Sequence, residues 1–166
     1  MTVTSAASAT TTPSFILERI QQADCDAIVE IDAIHTGVAK PKYWYERLAP
    51  LLGDGDEDGV NALTLGFVAR CDSEVIGFIL AEGRAWEFGS PLCGWIFAIG
   101  VRPDHGREGI AFALCQEVCS RFKSLGIKSV RTMVRKDDVN VLSFFRGSGF
   151  RAGPFIELEV ELQEGT

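Results

Sequence analysis

A chain of 166 residues, 46% hydrophobic and 23% charged, has the length and composition of one soluble globular domain with a substantial core. A formal net charge of −7 argues against nucleic acid, which needs a basic face, and no apolar run reaches the roughly 18 residues of a membrane helix. Cys25, Cys71, Cys93, Cys115 and Cys119 form an odd set with no C-x-x-C pair and no histidine close to a cysteine cluster, so reduced thiols and no metal site are expected. No basic region followed by an apolar one opens the chain, and the expected location is the cytoplasm.

Residues 1–13 are mostly Thr, Ser and Ala and are expected to form a disordered tail, leaving residues 14–166 as a single domain. Residues 15–20 predict a first strand. Ala27, Ile28, Ile31 and Ile34 recur at helical spacing, with Asp24 and Asp26 at the front of the helix, where negative charge is favoured, and Thr36-Gly37 as the stop. Pro41 suits the first turn of a second helix over residues 41–52. In the acidic run that follows, Asp54, Asp56, Asp58 and Gly59 match the opening of a calcium loop. The position that should hold a bidentate glutamate is Leu65, and a solvated acidic loop is the expectation. Residues 63–70 and 75–81 predict a hairpin turning at 71–74.

The stretch from Gly94 to Ala111 organises the rest. An apolar strand over residues 94–101 stops at Pro103, which has no N–H for a ladder. A glycine-bearing turn follows, and a helix begins near Ile110. Strand, turn and helix start within so few residues present free backbone N–H groups at the positive end of a helix, an arrangement suited to phosphate. Ile110, Leu114, Val118 and Phe122 recur every four residues and Gly126 closes that helix. Cys115 and Cys119 lie on it and read as core packing. A strand over 128–134 comes next, then a short helix capped by Asp137 or Asp138 and ended by Gly147-Ser148-Gly149. Ile156, Leu158, Val160 and Leu162 alternate with Glu157, Glu159 and Glu161, the pattern of a half-buried strand. The order is β-α-α-β-β-β-α-β-α-β.

This order, with Val101-x-Pro103, the run Gly106-Arg107-Glu108-Gly109-Ile110-Ala111 and Gly149-Phe150, resembles the Gcn5-related N-acetyltransferase (GNAT) family. It looks closest to the bacterial ribosomal-protein N-acetyltransferase type. The family signature is Gln/Arg-x-x-Gly-x-Gly/Ala; Gly109 and Ala111 fit it and Gly106 departs from it. The resemblance implies a mixed α/β fold: a central, mostly antiparallel sheet of about six strands with a splayed parallel pair, and four helices. It implies acetyl-CoA as co-substrate. The strand at Ile99, Gly100 and Val101 would splay from its neighbour near Thr132 and hydrogen-bond the pantetheine. The N–H groups of Arg107, Glu108, Gly109, Ile110 and Ala111 would receive the pyrophosphate, with Asn140 and Phe145 completing the CoA site.

The catalytic positions depart from the family. Its thiolate-protonating tyrosine is Phe145, and its usual glutamate positions are Trp95 and Met133. Glu82 is the best replacement base and Glu87 the second. Tyr43, Tyr45 and His35 fall in the helix pair that walls the acceptor site, as contacts or as packing. His105 reads as a turn residue and Cys93 as a buried one. The chain after Phe150 is short, which favours an open acceptor side. A protein lysine or N-terminus is preferred over a small-molecule amine, and a second subunit could equally complete the site. The function implied is N-acetyl transfer by direct attack in a ternary complex, with no nucleic acid and no membrane partner. The alternative is an acyl-CoA-binding sensor with little catalysis.

Overall fold

A computed structural model describes residues 15–52, 63–85 and 87–162, without the side chain of Glu87. The expected N-terminal tail and the acidic run from Asp54 to Gly59 lie outside the described residues. The chain divides into two compact units, residues 1–133 and residues 134–166.

The first unit is built on a five-stranded sheet in the order β1-β2-β3-β4-β5. The strands are β1 (Ile16–Arg19), β2 (Thr64–Cys71), β3 (Glu74–Arg84), β4 (Cys93–Val101) and β5 (Val130–Thr132). The first four pair antiparallel, and β4 pairs parallel with β5. The hairpin of β2 and β3 turns at Asp72-Ser73, with Asp72 at φ 53°. Both strands are buried almost throughout, because helices cover both faces of the sheet.

On one face lie α1 (Cys25–Thr36) and α2 (Pro41–Leu52). Ile28 and Ile31 of α1 and Trp44 and Leu48 of α2 pack with Val68, Phe78 and Leu80 of the sheet. Each fully buried aliphatic side chain contributes on the order of 1.5–3 kcal/mol. Trp44 is buried, and its indole N–H donates to Asp32 Oδ2 at 2.8 Å. Gly37, at φ 76°, ends α1 by a left-handed turn that residues with a Cβ disfavour. On the opposite face α3 (Ile110–Ser124) buries the four-residue stripe read from the sequence, Ile110, Leu114, Val118 and Phe122. Gly94 is glycine because Phe122 lies against it; a Cβ there would stand 2.4 Å from Phe122 Cδ2.

The second unit holds α4 (Val139–Gly147). Asp138 caps it, Oδ1 accepting from the Val141 N–H at 3.0 Å. Phe145 is buried and packs edge-on against Phe144 and Phe150.

Two expectations change in extent. The strand over 128–134 contracts to the three residues of β5. The final strand over 155–162 is not formed among the described residues: Ile156, Leu158, Val160 and Leu162 are 79–88% exposed, and five strands stand where about six were expected. A period of two encodes a face, but a strand also needs a hydrogen-bonding neighbour, and alternation alone does not supply one.

Candidate active site

The site begins with an interruption in β4. Across the β3–β4 ladder Ala81 stands opposite Ile96 and Leu80 opposite Ala98, so Phe97 is an extra, bulged residue. Before the bulge, the peptide groups of even-numbered residues face β5: Gly94 N–H donates to Ser129 O at 2.9 Å, and Ile96 O accepts from Thr132 Oγ1 at 3.0 Å. Beyond it the phase is reversed. Arg102 N–H donates back across the ladder to Ile76 O at 2.8 Å, and alternation then turns the peptide groups of Ile99 and Val101 to the other edge. Parallel pairing with β5 stops at Ile96 opposite Thr132. The splay expected near Thr132 is therefore present. It leaves Ile99 and Val101 on an open edge, with Gly100 facing the ladder opposite Phe78. Among the described residues one group on that edge is engaged: His35 Nε2 stands 2.7 Å from Val101 O.

The chain then turns through Pro103–His105 toward α3. Arg107 takes φ 69° and Gly109, the N-cap of α3, takes φ 79°. Left-handed residues in a turn make successive N–H groups converge. Those of Arg107 to Phe112 find no backbone acceptor among the described residues. A methyl group at Gly109 would meet no atom within 4 Å, so the requirement for glycine there is its backbone angle and the open space before it. Ile110 is buried, Ala111 half-buried and Glu108 turned to His105 Nδ1 at 3.3 Å. The backbone N–H groups of these positions are the feature on which the phosphate expectation rests.

Arg102 anchors this loop, and the sequence reading passed over it. Its Nε donates to Val75 O at 3.1 Å, and its guanidinium pairs with Glu30 at 2.8 Å and Glu74 at 3.1 Å. The hydrogen bond from Arg102, then its charge, holds the Glu30 carboxyl below the usual range.

Glu82, the expected base, is also held. It stands opposite Trp95 on the β3–β4 ladder. One carboxylate oxygen accepts from Arg47 Nη2 at 2.7 Å and the other from Arg84 Nε at 2.9 Å. Each arginine in turn stacks on an aromatic ring, Arg47 over Phe97 at 4.1 Å and Arg84 over Trp95 at 4.2 Å. The only sequence signal for this cluster is that Glu82 and Arg84 share a face at a strand spacing of two; Arg47 arrives from α2.

The remaining candidates separate. Tyr45 donates its hydroxyl to Asp26, and that hydrogen bond pushes the phenol's pKa up, so it braces α1 against α2. Tyr43 stacks edge-on against Trp44. Cys93 is buried. Glu87 opens a single turn of 3-10 helix, Glu87–Gly89, and its side chain lies outside the described residues. Asn140, exposed, and Phe145 belong to the second unit. Among the described residues no cluster of three or more His, Cys, Asp or Glu is placed to hold a metal, and no helix is long and apolar enough to cross a membrane.

A family model described as the acetyltransferase (GNAT) family matches residues 25–150. No curated protein is similar enough in sequence to match. Among solved structures, the aminoglycoside N-acetyltransferase AAC(6')-Iy in complex with CoA is similar with a TM-score of 0.72 and 14% identity, over 89% of this chain and 94% of that one. AAC(6')-Ih from Acinetobacter baumannii gives 0.71 and 16%, over 90% and 99%. A protein from Bacillus halodurans C-125 titled a transcriptional regulator gives 0.72 and 16%, over 89% and 99%. At these identities the likeness is one of fold. The family model names the family as a whole, and none of these three neighbours is titled a ribosomal-protein acetyltransferase.

Proposed function

From the premise that this chain belongs to the GNAT acetyltransferase family, and so is an acyltransferase with acetyl-CoA as co-substrate, we propose that it acetylates a primary amine by direct attack in a ternary complex. The observation that carries this reading is the Phe97 bulge, which reverses the phase of β4 and leaves Ile99 and Val101 on an unpaired edge running toward the free N–H groups at the start of α3. An extended amide chain ending in a pyrophosphate matches both features at once. The pantetheine amides add to the edge as a strand would, and the phosphates meet the N–H groups of Arg107 to Ala111.

The amine must lose a proton to attack, and the thioester carbonyl must be polarised. Backbone N–H groups on the open edge of β4 supply the second. Glu82 is our proposed base, reached once its arginines are given another partner. Holding the two reactants side by side supplies much of the barrier reduction. The acceptor is a protein N-terminus or lysine, or a small-molecule amine, the class on which the aminoglycoside enzymes of the same fold act.

The test follows CoA thiol release from acetyl-CoA against a panel of amino acids, lysine and N-terminal peptides and aminoglycosides. The expected result is turnover above background with at least one acceptor. Tight CoA binding with no turnover on the whole panel would replace this reading with that of an acyl-CoA-binding sensor.

A further inference from the structure

We infer that the acceptor amine carries a carboxylate close by, and that Arg47 and Arg84 receive it. The inference rests on the acetyltransferase reading and names the acceptor class at that site. With the pyrophosphate at the start of α3, the pantetheine runs back along β4 from Val101 toward Phe97. The four residue steps between them span about 13 Å of strand, so the thioester end falls near the bulge. There, on the face covered by α1 and α2, stand Arg47, Glu82, Arg84, Trp95 and Phe97.

Among the described residues two guanidinium groups share one carboxylate here, a surplus of one positive charge within this cluster in a chain whose net charge is −7. Each is fixed on both sides, by a ring and by Glu82. This removes in advance the side-chain freedom that an anion would otherwise have to freeze. Arg47 uses one N–H group and Arg84 one; the Nη1 and Nη2 groups of Arg84 have no acceptor among the described residues. A polycationic acceptor meets repulsion here. An amine with a neighbouring carboxylate pairs with the arginines and cancels the surplus.

The same pairing answers the difficulty of the base. A carboxylate that takes up guanidinium N–H groups loosens Glu82. Glu82 then takes one proton from the ammonium. The nitrogen bonds the thioester carbonyl carbon, and the C–S bond breaks with its electron pair going to sulfur. The thiolate takes the second nitrogen proton, and Glu82 later returns its own to water. The amine and carboxylate can come from a free amino acid or from a polypeptide N-terminus followed by an acidic residue.

The experiment compares kcat/KM within matched pairs: γ-aminobutyrate against 4-aminobutanamide, and the peptide Ala-Glu-Ala-Ala against Ala-Gln-Ala-Ala. The expected preference for the carboxylate member is about tenfold, the size of a lost charge-assisted pair. It should fall toward unity in Arg47→Gln and in Arg84→Gln, and be partly kept in Arg84→Lys. Acetyl-CoA binding by calorimetry confirms that each variant is folded. Which pair is turned over distinguishes the small-molecule from the polypeptide source. Equal rates within the pairs, a preference for the amide member or for an aminoglycoside, or a carboxylate preference intact in both glutamine variants overturns the inference and leaves acetyl transfer standing. Acetyl-CoA binding with no transfer to any of these amines overturns both.

Discussion

His35 Nε2, in the last turn of α1, stands 2.7 Å from the carbonyl oxygen of Val101, the last residue of β4. The partner is an acceptor, so Nε2 carries the proton. The bond ties α1 to the splayed half of β4, on the edge proposed for pantetheine. His35→Phe keeps a ring and loses the donor. It should weaken acetyl-CoA binding about threefold by calorimetry, the worth of one exposed hydrogen bond. An unchanged affinity would show that the edge holds its shape without this tether.

Two glycines should lose stability for different physical reasons on the same change. Gly94→Ala places a methyl against the Phe122 ring and should cost about 1–3 kcal/mol of stability, read as a lowered denaturation midpoint. Gly109→Ala meets no neighbour, and its cost to stability is about 1–2 kcal/mol from the left-handed backbone alone. Its larger effect should be on acetyl-CoA, with the KM raised about tenfold or more, because the methyl occupies the space in front of the N–H groups.

Arg102 couples the loop before α3 to acidity. The Glu30 carboxyl is held below its ordinary value of 4.5 by the hydrogen bond from Arg102. A carboxyl lowered by folding contributes stability that is whole above the ordinary value and is lost as pH falls through the depressed one. Glu30→Gln should therefore lower the urea midpoint at neutral pH slightly and flatten its decline on acidification. A midpoint with the same acid dependence in both proteins would assign that decline to other carboxylates.

The thiols of Cys115 and Cys119 sit one turn apart on α3. A hydrogen bond from Cys115 pushes the Cys119 pKa down, and the same bond pushes that of buried Cys115 up. Cys119 should then be alkylated by iodoacetamide before Cys115, Cys25 and Cys93 at neutral pH, as read by peptide mass spectrometry. Cys115→Ala removes the donor and should slow labelling of Cys119. Faster labelling of Cys93 or Cys25 would contradict the burial that the fold gives them.

The sequence by itself determined the elements whose pattern is local. The stripe from Ile110 to Phe122 fits only a helix with one face in a core, Gly37 and Gly126 stop helices by backbone angle alone, and Pro103 ends β4 because it has no N–H. The turn from Arg107 to Ala111 was legible for the same reason: Gly109 marks the left-handed backbone before α3. Tertiary structure decided what depends on partners distant in the chain. Register across the β3–β4 ladder makes Phe97 the bulged residue and turns Ile99 and Val101 outward, and no periodicity within β4 contains that information. The alternation of residues 156–162 promised a strand, and the fold leaves its apolar side chains exposed, since a strand exists only beside another. Glu82 read as a candidate base from its place near the end of a strand. Only the fold brings Arg47 from α2 onto the same carboxylate as Arg84 and sets both on aromatic rings, because charge pairing acts through space and leaves no spacing in the sequence.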